Sequence, residues 1–230
     1  MFFNDYTWFL LIPPLILALF AQARVRSTYN RYSQVRASSR LTAAEVARQI
    51  LNTRGAQDVT IEKVAGQLSD HYDPRKKVLR LSEGVHDSNS LAALGIAAHE
   101  AGHAVQHHNR YSPLAIRNAI FPVANLGSML AFPLFFIGLI MSQKSGPTWL
   151  MDAGIILFSG AVLFSVITLP VEFNASKQAV SVLEERGYLN REELTGARRV
   201  LSAAALTYVA ATTMAVVQLV RMLILRDSRD

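Results

Sequence analysis

Four long apolar stretches divide the chain, and the segments between them carry most of its charged residues. They run over residues 8–23, 121–141, 149–171 and about 200–225. A helix needs roughly 20 apolar residues to cross the hydrocarbon core of a bilayer, so the second and third stretches are predicted to form a membrane-spanning hairpin. The first stretch is shorter and contains Pro13 and Pro14, which lipid-buried helices tolerate. The fourth contains several polar residues, so the sequence alone leaves open whether it crosses the membrane.

The positions of arginine predict which side of the membrane each segment faces. The residues before the first apolar stretch contain no Lys or Arg, whereas Arg24 and Arg26 follow it and Arg117 precedes the second stretch. Cytoplasmic loops carry an excess of such residues, so residues 24–120 and 172–199 are predicted to share the cytoplasmic side. A cleaved signal peptide has the opposite arrangement of charge, so the first stretch is predicted to be an uncleaved anchor.

Composition supports a membrane protein and narrows the possible chemistry. Hydrophobic residues make up 51% of the chain, the net charge is +6, and the mean hydropathy is +0.23. The basic residues lie beside apolar segments and form no nucleic-acid motif, so we expect a lipid bilayer as partner and no nucleic acid. The absence of cysteine excludes disulfides, thiolate metal sites and cysteine nucleophiles, which leaves His, Asp and Glu as strong metal ligands.

The segment between the first and second apolar stretches shows the patterns of shorter elements. Thr42 and Glu45 have the spacing of a capping box, which predicts a helix that ends near Gly55. The stretches VTIEKV, LSDHY and VLRLS predict short strands, the last two joined by a turn through DPRK. A further helix, capped by Ser88 or Ser90, is predicted through LAALGIAAHEAGHAVQ.

The stretch AAHEAGHAVQHH contains four of the six histidines of the chain. On a helix, His99 and His103 project from one face and can bind a single zinc ion, while Glu100 can reach a water at the edge of that face. In such a site the pKa of the water falls to about 7, so the carboxylate can take its proton and a peptide carbonyl can be attacked. His107 and His108 are interpreted instead as helix-end residues.

A catalytic zinc site also needs a third protein ligand. The metzincin pattern would require a histidine at position 109, where this chain has Asn109. His107 lies about 12 Å along the helix from His99, too far to share the ion easily. Glu172 is predicted to be the third ligand, because it follows the third apolar stretch on the same predicted side of the membrane. The alternative is that Glu172 is an interfacial carboxylate at a helix N-terminus.

Several stretches, spread over most of the chain, resemble one known family. AAHEAGHAVQHH, HYDPRKKVLRLSEGV, LPVEFNASKQA and GARRVLSAAALTYVAA are similar to the YugP-like neutral zinc metallopeptidases of bacterial membranes. That family in turn resembles the HtpX and CAAX-protease clan of membrane gluzincins. The resemblance implies one Zn²⁺ per chain, held by His99, His103 and Glu172, with Glu100 as the general base. It also implies a peptidase of the bacterial inner membrane that serves protein quality control. The arginine pattern predicts that the active site faces the cytoplasm. Because the site lies close to the membrane, membrane or membrane-associated proteins are the expected substrates; the oligomeric partner stays open.

Two positions near Glu172 depart from the pattern of these families. The wider clan has an aspartate four residues after the glutamate ligand, where this chain has Ser176. The closer family tends to carry aspartate where this chain has Asn174. By the resemblance, Asn174 and Ser176 are expected to orient the metal ligands, through weaker hydrogen bonds than a carboxylate makes.

The resemblance also suggests residues that contact the substrate. His71, Tyr72 and Asp73 precede the motif helix, where gluzincins place an edge strand that pairs with an extended peptide; the alternative is a structural hairpin. Tyr208 is a candidate donor to the oxyanion of the tetrahedral intermediate, and the alternative is a packing role.

The predicted fold is mostly α: a polytopic membrane protein with a small α+β zincin-like catalytic unit around the HExxH helix at the cytoplasmic face. We expect one metallopeptidase domain over residues 1–230. Its parts are an N-terminal membrane anchor (1–23), a soluble part (24–120), a transmembrane hairpin (121–171), a third-ligand helix region (172–199), and a C-terminal membrane helix and tail (200–230). One alternative is an intramembrane site-2-type protease, whose motif would lie inside a span. The other is a non-catalytic zinc-binding scaffold or chaperone-like protein, in which Glu100 is dispensable.

Overall fold

The computed structural model describes residues 6–142 and 148–228. Within these ranges the chain forms seven α-helices and one small sheet. The helices, after a 3-10 turn at Tyr6–Leu11, are α1 (Ile12–Tyr32), α2 (Ala43–Thr53), α3 (Glu83–His86), α4 (Leu91–His108), α5 (Ser112–Ser142), α6 (Trp149–Glu185) and α7 (Arg191–Asp227). The strands are β1 (Thr60–Val64), β2 (His71–Asp73) and β3 (Val78–Ser82). The prediction of a mostly helical fold is confirmed.

Four helical segments are long and apolar enough to cross a membrane. They are Tyr6–Tyr32, Ser112–Ser142, Trp149–Glu185 and Arg191–Asp227. Each contains an 18-residue window with a mean hydropathy between 1.7 and 2.2. The chain is therefore a polytopic membrane protein, as predicted, and the fourth apolar stretch qualifies by the same measure as the other three. Most of the loop predicted to join the hairpin, residues 143–147, lies outside the described residues.

The chain folds into two compact units, and the first contains most of the apolar helical surface. It consists of Met1–Phe20, Ile116–Pro170 and Thr207–Asp230. Helices α5 and α6 approach closely at Gly154, where a Cβ would lie 2.7 Å from the carbonyl oxygen of Ala131. The outward side chains are apolar as well, with Val123 70% exposed and Ile156 72% exposed. Soluble monomers rarely expose apolar surface this extensively, so the unit has the surface of a helix bundle in lipid.

The second unit contains the sheet, α2, α3 and α4. It consists of Ala21–Ala115 and Val171–Leu206. The predicted capping box opens α2, since the backbone N–H of Thr42 donates to the Glu45 carboxylate at 2.7 Å and the Glu45 N–H donates to the Thr42 hydroxyl at 3.3 Å. The buried faces of α2, α4 and β3 form one apolar core together with the parts of α6 and α7 that belong to this unit.

The sheet has the strand order β1-β3-β2. Strand β3 pairs in parallel with β1 and antiparallel with β2, so β2 lies at one edge. The predicted turn before β3 is present, and the Asp73 carboxylate accepts hydrogen bonds from the backbone N–H groups of Arg75 and Lys76 at 3.0 and 3.2 Å. An aspartate that bonds to the backbone of the following residues is typical of such turns. Three strands and the turn before β3 are present as predicted, but β2 begins at His71, three residues after the predicted start, and includes Asp73, which was predicted to begin the turn.

Helix α6 differs from expectation in its length. The apolar pattern placed the end of the third stretch at Val171 and a separate helical region after it, whereas α6 continues without a break to Glu185 and includes Pro170. A proline inside a helix removes one backbone hydrogen bond, and the remaining bonds carry the helix past it. The hydropathy pattern therefore marks where the helix surface becomes polar, and Glu172 lies inside a long helix.

Candidate metal centre

The two motif histidines lie on α4 as the sequence predicts. The helix begins after Ser90, whose hydroxyl accepts a hydrogen bond from the N–H of Ala93 at 3.2 Å, and it ends at its C-cap residue, Asn109. One helical turn separates His99 from His103, and their rings meet edge to face with centroids 4.7 Å apart. Their side chains are only 13% and 11% exposed. The histidines thus form a shielded pair of nitrogen ligands.

Helix α6 brings the carboxylate of Glu172 to this pair. The two helices approach closely at Gly102, where a Cβ would lie 3.2 Å from the carbonyl oxygen of Ala175. As a result, Oε2 of Glu172 lies 3.3 Å from Nε2 of His99 and 3.5 Å from Nε2 of His103. Glu172 itself is only 3% exposed. Burying a carboxylate is costly unless it meets a cation or hydrogen-bond donors, so its place between two imidazoles is chemically specific.

The three side chains fit a zinc ion. Their ligand atoms all lie within 4.8 Å of one another. A tetrahedral zinc ion with bonds of about 2.0–2.1 Å separates its ligand atoms by about 3.3 Å, which is close to the two distances from Glu172. Two histidines and a glutamate are also a known ligand set of catalytic zinc sites, in which the fourth position is left to water or substrate. The structure therefore brings together the three residues that the sequence analysis selected.

The ring of His99 has a polar neighbour on the side away from Glu172. Its Nδ1 lies 3.2 Å from the hydroxyl of Ser176, one helical turn beyond Glu172 on α6. A hydroxyl can donate or accept, so this contact orients the ring without selecting which nitrogen carries the hydrogen. Ser176 thus lies where the sequence comparison placed an orienting residue, and its effect on metal binding stays a prediction.

The ring of His103 contacts a residue that the sequence analysis missed. Its Nδ1 lies 3.0 Å from Oε1 of Gln106, which is 1% exposed. The amide nitrogen of Gln106 donates to the backbone carbonyl of Val171 at 3.0 Å and to Oδ1 of Asn174 at 2.8 Å. Asn174 therefore reaches the histidine only through Gln106. A glutamine three residues after the second motif histidine, amid apolar positions of the same helix, was the available sequence signal.

Acidic groups dominate the electrostatics of the site. Burial alone would lower the pKa of His103, but the hydrogen bond to Glu172 and the negative charges of Glu100 and Glu172 raise it above its ordinary value. Burial raises the pKa of Asp70, hydrogen bonds from Ser82 oppose this, and the negative charge of Glu100 adds to the rise. The carboxylates of Glu100 and Glu172 thus create a negative potential at the histidines, and this potential favours a bound cation.

The remaining predicted residues lie in two places. His71, Tyr72 and Asp73 form the edge strand β2. Burial raises the pKa of Tyr72 to about 12, so its hydroxyl is neutral, and it lies 2.8 Å from Nδ1 of His107. His107 therefore contacts the strand, in accord with the interpretation that it is not a metal ligand. Tyr208 lies in α7, within the unit that contains most of the apolar surface, and is 37% exposed; its catalytic role stays a prediction.

Comparison with known proteins identifies the family of the chain. Residues 7–227 match the model of a family described as "Putative neutral zinc metallopeptidase". The chain is also 48% identical over 223 residues to the "Putative membrane protease YugP" of Bacillus subtilis (strain 168), which covers 96% of this chain and 97% of that protein. No solved structure matches the chain. The family resemblance found in the sequence is confirmed.

Proposed function

Because this chain belongs to the family described as "Putative neutral zinc metallopeptidase", we propose that it is a membrane-bound, zinc-dependent metalloendopeptidase. The observation that carries the proposal is the convergence of His99, His103 and Glu172, whose ligand atoms lie within 4.8 Å of one another. Residues 1–230 would act as a single metallopeptidase domain with one zinc ion.

Each residue of the motif has a defined task in this proposal. His99, His103 and Glu172 hold the zinc ion, which supplies Lewis acidity when bound and so polarises a peptide carbonyl and acidifies water. Glu100 follows His99 on α4 and is half-buried, and helical geometry puts its position beside the histidine-bearing face. Glu100 accepts the proton of the attacking water and delivers it to the leaving amine of the peptide.

The substrate would bind as an extended peptide along β2. This strand lies at the edge of the sheet, and its residues contact α4 through the pair of Tyr72 and His107. Pairing along an edge strand uses backbone hydrogen bonds, so recognition would tolerate many side chains. Membrane or membrane-associated proteins are the proposed substrate class, because four helices of the chain suit a bilayer. The arginine pattern supports a site on the cytoplasmic side.

The structure favours a metallopeptidase with its motif outside the membrane spans over an intramembrane protease. A site-2-type enzyme carries its motif within a membrane span, whereas α4 is not among the described helices that are long and apolar enough to cross a bilayer. The non-catalytic alternative, a zinc-binding scaffold, differs in one testable respect. A zinc-binding scaffold requires the three metal ligands, but Glu100 would be dispensable in it.

A direct test compares the purified wild-type protein in detergent with the Glu100→Gln variant. We expect about one zinc per chain in both proteins, cleavage of casein by the wild type, and a rate about 10²–10⁴-fold lower in the variant. Glu192→Gln, at an exposed position at the start of α7, is the matched control and should cleave at the wild-type rate. Cleavage by Glu100→Gln at the wild-type rate would contradict the mechanism, and a wild-type protein without stoichiometric zinc would contradict the site.

A further inference from the structure

We propose that Gln106 is a positioning residue that fixes His103 in the tautomer whose Nε2 faces the metal ion, and that it ties this histidine to the helix carrying Glu172. This inference rests on the proposed metal site. It assigns to Gln106 a role in metal binding beyond the three ligands and the general base.

The orientation of the Gln106 amide follows from its partners. The carbonyl oxygen of Val171 is a backbone atom that can only accept, and it lies 3.0 Å from the Gln106 amide nitrogen. That nitrogen also donates to Oδ1 of Asn174 at 2.8 Å, so both amide hydrogens have acceptors. The atom that faces His103 is therefore the amide oxygen, and the two ends of the side chain cannot be exchanged without losing these bonds.

The amide oxygen in turn decides the tautomer of the histidine. Oε1 of Gln106 lies 3.0 Å from Nδ1 of His103 and can only accept, so Nδ1 must carry a hydrogen. A neutral imidazole has one N–H, which leaves a lone pair on Nε2. That nitrogen lies 3.5 Å from the Glu172 carboxylate, where the metal ion is expected. Outer hydrogen-bond partners of this kind fix the ring orientation and raise the basicity of a metal-ligating histidine.

The same amide links the two helices that supply the ligands. Gln106 lies on α4 one turn after Gly102, and its acceptor Val171 directly precedes Glu172 on α6. A shift of α6 along α4 would therefore disturb His103 and Glu172 together. The contact at His99 does not match this arrangement, because the Ser176 hydroxyl can donate as well as accept. The Glu172 carboxylate faces the Nε2 atoms, where the ion would bind, so among the described contacts with the two Nδ1 atoms the one from Gln106 selects the tautomer.

A purely structural role for Gln106 makes a different prediction. A buried glutamine that only joins two helices would affect stability, and zinc binding would follow stability alone. A positioning role requires an oxygen acceptor opposite His103 Nδ1, and zinc affinity would follow that acceptor.

Three variants of the full-length protein in detergent separate these roles. The measurements are the zinc dissociation constant, from competition with a chromophoric chelator, and the thermal unfolding of the metal-free protein. Gln106→Leu removes the acceptor and should weaken zinc binding about 10–100-fold. Gln106→Glu keeps an oxygen for His103 Nδ1 in either protonation state, so it should bind zinc close to the wild-type strength although it keeps at most one of the two donors to α6. Gln178→Leu is the matched control, since Gln178 donates to the same Asn174 oxygen at 2.6 Å without contacting His103 in the structure, and its affinity should be unchanged.

Equal zinc affinities in Gln106→Leu and the wild type would overturn the inference, as would equal losses in Gln106→Leu and Gln106→Glu. A second measurement needs no folded variant. In the zinc-loaded wild type labelled with ¹⁵N-histidine, NMR should show the ring hydrogen of His103 on Nδ1, and a hydrogen on Nε2 would also overturn the inference. If the wild type lacks stoichiometric zinc, the proposed function fails with it; if the wild type binds zinc and only the Gln106 results differ from expectation, this inference alone fails.

Discussion

Replacing Gly102 with alanine should push apart the two helices that carry the proposed zinc ligands. The added Cβ would lie 3.2 Å from the carbonyl oxygen of Ala175 and 3.5 Å from its Cα, so one helix must move by a few tenths of an ångström. Overpacking of this kind costs about 1–3 kcal/mol. Alanine has a higher helix propensity than glycine, which offsets about 1 kcal/mol of this cost. The net loss in the free energy of unfolding is therefore roughly 0–2 kcal/mol.

Gly102→Ala should also lower the affinity for zinc, in addition to this loss of stability. The distances from the Glu172 carboxylate to the two imidazoles, 3.3 and 3.5 Å, already match the separation of ligand atoms around one zinc ion. Any separation of α4 and α6 lengthens both distances at once. A strain of about 1.4 kcal/mol in the site corresponds to a tenfold weaker affinity, and we expect a loss of about that size for Gly102→Ala and a larger one for Gly102→Val.

Gly95 provides the matched control on the same helix. A Cβ there would lie 3.5 Å from the Cβ of Ala197, an ordinary contact, so Gly95→Ala should raise stability by about 0.5–1 kcal/mol and leave zinc affinity unchanged. The assay is chelator competition for zinc, together with thermal unfolding of the metal-free proteins in detergent. If Gly102→Ala binds zinc as tightly as Gly95→Ala does, the close approach of the helices does not set the ligand geometry, and the reasoning is wrong.

Three further predictions concern the capping box, the turn before β3 and the metal itself. Thr42→Ala should cost about 0.5–2 kcal/mol in the free energy of unfolding, while Thr42→Ser should retain most of it; equal losses would contradict a capping role. The pKa of Asp73 is lowered from its ordinary value of 3.8, chiefly by the backbone N–H of Lys76, so its contribution to stability is present above that value and is lost as the pH falls through the lowered pKa. The stability gap between the wild type and Asp73→Asn, followed by thermal unfolding from pH 7 to pH 3, should therefore shrink below about pH 4, and a constant gap would contradict this. Zinc at about 100 times its dissociation constant should stabilise the wild type by about 2.7 kcal/mol and Glu172→Gln much less, and equal stabilisation of both would remove Glu172 from the ligand set.

The features that the sequence predicted are those encoded by short spacings. The motif histidines are four residues apart, so any helix places them on one face, and the cap at Ser90 depends on residues three positions away. The capping box at Thr42 and the turn at Asp73 are equally local. Glu172 was found by a longer argument, from the order of the apolar stretches and the side on which each should end.

A glutamine amid apolar positions marked Gln106 as unusual, but its proposed role could not be predicted from the sequence, because it depends on contacts with residues 65 and 68 positions away. Its own helix gives no sign that a carbonyl of α6 will lie within hydrogen-bonding distance. The continuity of α6 past Pro170 was missed for a different reason. Hydropathy reports the surroundings of a helix, and a helix can pass from apolar to polar surroundings without ending.

The three proposed ligands come from two helices that are synthesised at different times. The second motif histidine leaves the ribosome roughly 70 residues ahead of Glu172, and the whole of α5 and the first part of α6 are made between them. At about 5–20 residues per second this interval lasts several seconds. Until it has passed, the nascent chain holds only two of the three proposed zinc ligands. The proposed metal centre can therefore form only after the apolar part of the membrane hairpin has been made, when about three quarters of the chain have been synthesised.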